Sequence, residues 1–162
     1  MQPQKFIDQI AISSQGNFLY LVWLLPAIEE GVHRFDSLEA LPKGLDDIYR
    51  DFLSKRTVGK DIRLYRTHYR PILGVLAAAQ APMRAEQLAQ FVEIGKQDIA
   101  DCLMDLQQFL DPVLSGQKQY RLYHQSITDF LFDEEKAEEF WIDPVDVHKR
   151  IVSKLPKQGS FL

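Results

Sequence analysis

Apolar positions along the chain recur mostly at helical spacing. Phe6, Ile7 and Ile10 fall on one face by the three-to-four-residue rule, and the pattern breaks at Ser13-Ser14-Gln15-Gly16. The apolar run over 18–25 follows and stops at Pro26. A run this short fits a buried strand or a buried helix. Its continuation through Ala27 and Ile28 to an acidic end and Gly31 favours a helix that is hydrophobic all round and therefore buried, kinked or shortened by Pro26. Leu41-Pro42-Lys43-Gly44-Leu45 is a turn signal. After it, Leu45, Ile48, Tyr49, Phe52 and Leu53 are spaced i, i+3, i+4, i+7, i+8, with Asp46 and Asp47 in the first turn, where the helix dipole favours negative charge. Residues 57–68 are polar and basic with little periodicity until Tyr65.

From Pro71 the character changes. Ile72, Val75 and Leu76 mark one helix, with Pro71 near its first turn, and Leu88, Phe91 and Val92 mark a second. Gly95 turns the chain, and Ile99, Cys102, Leu103, Leu106, Phe109 and Leu110 stripe a third. Two short extended pieces, 112–114 and 120–123, joined by Ser115-Gly116-Gln117-Lys118, read as a β-hairpin. Three helices followed by a hairpin is the order of a winged helix-turn-helix. A further helix is expected over 126–132, then an acidic linker and a helix over 145–155. The fold class is therefore mainly α, with a helical domain over 1–66, a winged-helix domain over 67–133, and a linker with a C-terminal helix over 134–162.

Composition narrows the partners. The 162 residues are 46% hydrophobic and 26% charged, as in an ordinary globular protein. Lys and Arg total 19 against 23 Asp and Glu, a net charge of -4, which argues against broad binding to a phosphate backbone. The expected recognition helix carries Asp98, Asp101 and Asp105, with Lys96 the only basic residue near its start. Such a helix would repel phosphates, so no nucleic-acid partner is expected and a role in protein packing is favoured. One cysteine, Cys102, excludes an intrachain disulfide and fits a reducing compartment. The run over 18–25 is too short to span a bilayer, which needs about 20 apolar residues. The polar stretch before it does not read as a signal peptide. A soluble, cytoplasmic protein with no membrane contact is expected.

Candidate chemistry is sparse. His124, Ser126 and Asp129 contain the residue types of a hydrolase triad, but no nucleophile-elbow glycines surround the serine. Ser126-Ile127-Thr128-Asp129 fits a capping box instead. His124 precedes that helix start and has two readings: a structural histidine bonded to a nearby carbonyl, or a residue that helps the helix amides hold an anion. His33, His68, His124 and His148 are far apart and Cys102 sits on an apolar face, so no metal-ligand spacing appears. The Gly16-Asn17 pair is not part of any G-x-x-x-x-G-K-[ST] element, and no aspartate ends an apolar strand to hold magnesium. The parts needed for nucleotide hydrolysis are missing, and no catalysis is expected from this chain.

Taken in order, several stretches resemble the region after the nucleotide-binding core of STAND-class NTPases of NACHT type. Ser14-Gln15-Gly16-Asn17-Phe18-Leu19-Tyr20 is similar to the family's Gly-x-Phe-Leu-Trp/Tyr element, and Leu41-Pro42-Lys43-Gly44-Leu45-Asp46-Asp47-Ile48-Tyr49 to its Leu-Pro-x-Gly-Leu-x-x-x-Tyr helix start. Residues 69–79 with Pro82 and Gln87-Leu88-Ala89 resemble the start of its winged helix. Leu122-Tyr123-His124-Gln125-Ser126-Ile127-Thr128-Asp129-Phe130-Leu131 resembles its hydrophobic-His-x-Ser-hydrophobic-x-Asp-Phe-Leu ending. The resemblance covers nearly the whole chain. It implies a non-catalytic regulatory module that folds over ADP or ATP, with Mg, bound by an upstream domain of the same parent chain. It also implies a sensor-repeat domain downstream, an oligomer on activation, and no cofactor held by this segment alone. His124 takes the position of the family histidine that contacts the β-phosphate. Phe18 stands where many relatives place a proline against adenine.

Overall fold

The computed structural model describes residues 3–29, 41–55 and 61–155. The expected helix stop at Gly31, His33 and the polar stretch 56–60 lie outside the described residues. The chain forms two compact units, Met1–Phe52 and Leu53–Leu162. This division falls earlier than the expected boundary between residues 66 and 67, and the segment after 133 belongs to the second unit.

In the first unit, α1 (Pro3–Ser13) and α2 (Phe18–Glu29) are joined by a left-handed turn in which Gln15 and Gly16 have φ of 54° and 74°. Glycine carries such a φ without strain, which is why the break falls here. Asn17 then accepts the Leu19 amide through Oδ1 at 3.0 Å and starts α2. Helix α3 (Gly44–Leu53) follows the turn that the Pro-Lys-Gly signal marks. The core of this unit is aromatic: the Trp23 ring lies 5.5 Å from Tyr49, edge to face, and 5.3 Å from Phe52. Tyr20 is fully buried and donates its hydroxyl to the Pro42 carbonyl.

Helix α2 forms as expected, with Pro26 inside it, but it is not buried all round. Tyr20, Trp23 and Leu24 face the core, while Phe18, Val22 and Leu25 are exposed. The described helices of this unit supply a core for one face of α2, and its apolar sequence continues around the other.

The second unit begins with α4 (Ile62–Leu64), capped by Asp61, whose Oδ1 accepts the Arg63 amide at 3.0 Å. The helix runs on through a π-helical turn, Tyr65–Tyr69, into α5 (Arg70–Ala78). Pro71 lacks an amide hydrogen and its ring crowds the preceding turn. A wider π turn just upstream is one way for a helix to absorb such an interruption without ending. Thus residues 62–69 of the stretch with little apolar periodicity are helical, and Tyr65 and Tyr69 are buried in it. The Tyr65 hydroxyl donates to the Phe140 carbonyl at 2.7 Å, and the two rings meet edge to face at 5.0 Å.

Helices α6 (Ala85–Phe91) and α7 (Lys96–Asp105) follow, but α7 is shorter than its expected stripe: Phe109 lies in a 3-10 turn (Gln107–Phe109) and Leu110 is extended. The β-hairpin does not form as expected. Residues 112–114, expected as a strand, lie in the short helix α8 (Pro112–Gly116). The reason is local: Asp111 Oδ1 accepts the Val113 and Leu114 amides at 3.0 and 3.2 Å, and Pro112 supplies a helical φ in the first turn. Among the described residues, extended pairing survives as two isolated antiparallel bridges, Met83 to Tyr120 and Leu110 to Leu122. Both use the 120–122 segment, through Tyr120 N to Met83 O at 2.7 Å and Asp111 N to Arg121 O at 2.9 Å.

Helices α9 (Gln125–Leu131), α10 (Glu134–Ala137) and α11 (Pro144–Lys154) complete the unit. The segment expected as a linker is packed into it. Phe140, Ile142 and Val147 are buried, and a Cβ built on Gly74 of α5 would meet Val147 Cγ2 at 2.8 Å and Ile142 Cγ2 at 3.3 Å. Only glycine lets α5 and α11 approach this closely. Among the described residues no helix is long and apolar enough to cross a membrane.

Candidate functional site

His124 is the N-cap of α9. Its backbone is extended (φ -148°, ψ 147°), and its ring Nδ1 accepts the Ser126 amide at 3.1 Å. The Ser126 hydroxyl lies 2.9 Å from the same nitrogen. The capping box expected at Ser126 is therefore replaced by an imidazole cap two residues earlier. Asp129, its expected acid, accepts Gln125 Nε2 at 3.2 Å. Nδ1 occupies the place that an Asn or Asp side-chain oxygen takes in the usual cap. The arrangement changes the anion reading. The Ser126 amide is taken up by the ring and the Ile127 amide donates to the His124 carbonyl at 3.1 Å, so these donors are not offered to a ligand.

What remains is Nε2. Because Nδ1 accepts an N–H, the neutral ring carries its proton on Nε2, which is then a donor. Nε2 has no hydrogen-bond partner among the described residues. The side chain is exposed and borders a cavity of about 520 Å³, whose polar lining includes Gln80, Arg121, Gln125 and Thr128. This volume lies within the range of about 300–1,000 Å³ usual for small-ligand sites. Arg121 pairs with Asp111 at 3.3 Å. The Leu114 amide, with the Val113 amide and the Arg121 guanidinium, holds the Asp111 carboxyl below its ordinary range. Periodicity does not reveal Arg121 or Gln80 as neighbours of His124. The signal for Arg121 is its place on the bridging segment, facing back toward the Asp-Pro helix start.

The triad residues do not form a relay. Ser126 and His124 are within hydrogen-bond reach, but Asp129 bonds Gln125 and nothing acidic orients the ring. Cys102 is buried, and burial, with Asp105, Asp98 and Asp101 nearby, pushes its thiol up to about 12. A thiol so held is a core group, not a nucleophile. Asp98, Asp101 and Asp105 are exposed on α7, and Asp105 accepts the Tyr69 hydroxyl at 2.5 Å. No group of three metal-binding side chains occurs among the described residues.

Phe18 opens α2 in the first unit and is 77% exposed. With Ile7, Ile10, Leu21 and Asn17 it borders an apolar cavity of about 390 Å³. Phe18 and His124 lie in different compact units, and each is described within its own. No family model, curated protein or solved structure was found to match the chain.

Proposed function

We propose that the chain is a non-catalytic regulatory module of a STAND-class NTPase of NACHT type. It folds over a nucleotide held by an upstream domain and couples the ADP or ATP state to domain arrangement. The second unit reads as a reduced winged helix: α5, α6 and α7 are its three helices, and the 120–122 segment, bridged to Met83 and Leu110, stands for the sheet. The observation that carries the reading is the unpartnered Nε2 donor of His124, held by the cap at Nδ1 beside a polar cavity. A ring fixed in this way can give a phosphate oxygen one directed hydrogen bond in one nucleotide state and none in another. Such a difference in contact is what shifts a two-state equilibrium.

The first unit supports the same reading from another side. Among the described residues Ile7, Ile12, Phe18, Val22 and Leu25 are exposed, and apolar surface of this kind suits a partner. The upstream nucleotide-binding domain is the proposed partner, and the aromatic face of Phe18 suits stacking on a base. The downstream repeat domain, oligomer formation on activation and cytoplasmic location belong to the same proposal.

A protein-interaction scaffold is the second reading, favoured by the same apolar surface. A winged-helix DNA-binding regulator is disfavoured by the three exposed carboxylates of α7. The test is ADP carried through purification by the longer protein containing this segment. With His124→Ala, ADP occupancy falls and basal activity rises if His124 senses the nucleotide. A scaffold would show neither change.

A further inference from the structure

Away from His124, one cavity in the second unit gathers three arginines that make no ion pair among the described residues. It measures about 200 Å³ and is lined by Arg66, Arg70, Trp141, Asp143, Asp146 and Arg150, among others. Arg66 lies in the π-helical turn and Arg70 opens α5, four residues on, so both stand on one side of the helix. Arg150 comes from α11, which the close approach at Gly74 brings against α5. Among the described residues, none of the three guanidiniums makes a hydrogen bond or an ion pair.

Like charges four residues apart on a helix repel, and Arg150 adds a third positive charge to the same lining. Asp143 Oδ1 accepts the Val145 amide at 2.9 Å as the cap of α11, and neither Asp143 nor Asp146 is in ion-pair reach of an arginine. Trp141 in the lining is tied back by its Nε1, which donates to the Phe132 carbonyl at 3.2 Å. A π-helical turn inside an α-helix is uncommon and is often found at functional sites. The volume is below the roughly 300 Å³ at which small-ligand sites begin. It suits one oxyanion group rather than a whole nucleotide.

We propose that Arg66, Arg70 and Arg150 form a binding site for a phosphoryl group. The guanidinium fork matches phosphate oxygens two at a time, which a single carboxylate ligand would use less fully. This site is separate from the His124 surface and does not depend on the nucleotide reading given to it.

The test is calorimetric titration of the 162-residue chain with inorganic phosphate, with acetate at matched ionic strength as the control anion. Saturable phosphate binding is expected, with little competition from acetate. Arg66→Gln, Arg70→Gln and Arg150→Gln should each weaken it roughly tenfold or more, the loss expected for one charge-assisted hydrogen bond. Arg66 is exposed, so Arg66→Gln and Arg66→Lys are expected to fold, checked by circular dichroism. The lysine variant keeps the charge without the fork and should fall between glutamine and arginine. Lys118→Gln, which removes an exposed cation outside this cavity, should bind phosphate as the unaltered chain does. Binding of AMP as tight as phosphate assigns the site to a phosphorylated small molecule. Binding of phosphate with exclusion of AMP assigns it to the free ion, and either result upholds the phosphoryl site. Absence of saturable binding, equal competition by acetate, equal affinity in the arginine-to-glutamine variants, or loss of binding in Lys118→Gln would overturn it.

Discussion

The two compact units use their apolar residues differently. In the first, α2 is apolar on every side, yet Phe18, Val22 and Leu25 are exposed beside an apolar cavity. In the second, Ile72, Leu73, Leu88, Phe109, Ile127 and Phe130 from successive elements are buried, and the cavities that remain carry charged and polar side chains. The apolar content of a segment thus does not tell whether it is core. The second unit closes a core on its own residues, while the first keeps an apolar face that suits a partner.

The sharpest way to break this contrast is a matched pair of phenylalanine truncations. Phe130→Ala removes a buried ring and should cost the chain about 3–5 kcal/mol in denaturant unfolding. Phe18→Ala removes an exposed one and should change stability by less than about 0.5 kcal/mol. A large loss for Phe18→Ala would mean that its face is covered within the chain.

Gly74→Ala probes how tightly the second unit is closed. The added methyl meets Val147 Cγ2 at 2.8 Å, so overpacking should cost about 1–3 kcal/mol, offset in part by the better helix propensity of alanine. Hydrogen exchange of α11 amides should quicken most. Stabilisation would show that α11 is not held against α5.

Tyr65→Phe is smaller. It leaves the ring contact with Phe140 in place and strips the Phe140 carbonyl of its partner, for a loss of about 1–2 kcal/mol measured by thermal or chemical unfolding.

The shallowest effect is at alkaline pH. The Cys102 thiol is raised in the folded state from 9.0 to about 12 by burial and the neighbouring Asp105, Asp98 and Asp101. A group with a raised folded value contributes stability that is complete below the unfolded value and lost as pH rises through the folded one. Stability should therefore begin to fall above pH 9, and Tyr65 and Tyr69, raised first by burial, extend the loss to higher pH. In Cys102→Ala the early part of that slope should flatten.

Much of the helical framework is legible in the sequence, because α3, α5, α6, α7 and α11 each carry an apolar stripe and most also a start signal. What is not legible has identifiable causes. Asp111-Pro112 is a helix-start signal, but the apolar pair Val113-Leu114 before a glycine reads equally as a strand. In the π turn the buried Tyr65 and Tyr69 stand four apart and lead into the Ile72 and Leu73 stripe, but the mostly polar residues before Tyr65 leave no apolar pattern upstream to mark the helix start. The docking of α11 depends on a glycine in another helix, which no local window contains. His124 is picked out by its place before α9, but not its role there. Ser126 is the commoner capping residue, and an imidazole nitrogen in that role has no separate sequence mark. Arg66, Arg70 and Arg150 lie far apart in sequence or in a stretch without stripe, and only the packing of α11 brings them to one cavity.

The central claim is that His124 reads nucleotide state from a fixed ring. The direct measurement is the fraction of ADP retained by the longer protein after purification, compared between His124→Ala and the unaltered chain, with Ser126→Ala as the control that disturbs the cap but leaves the imidazole. The account predicts a clear fall in ADP for His124→Ala and a smaller one for Ser126→Ala. Equal ADP occupancy in all three would contradict it.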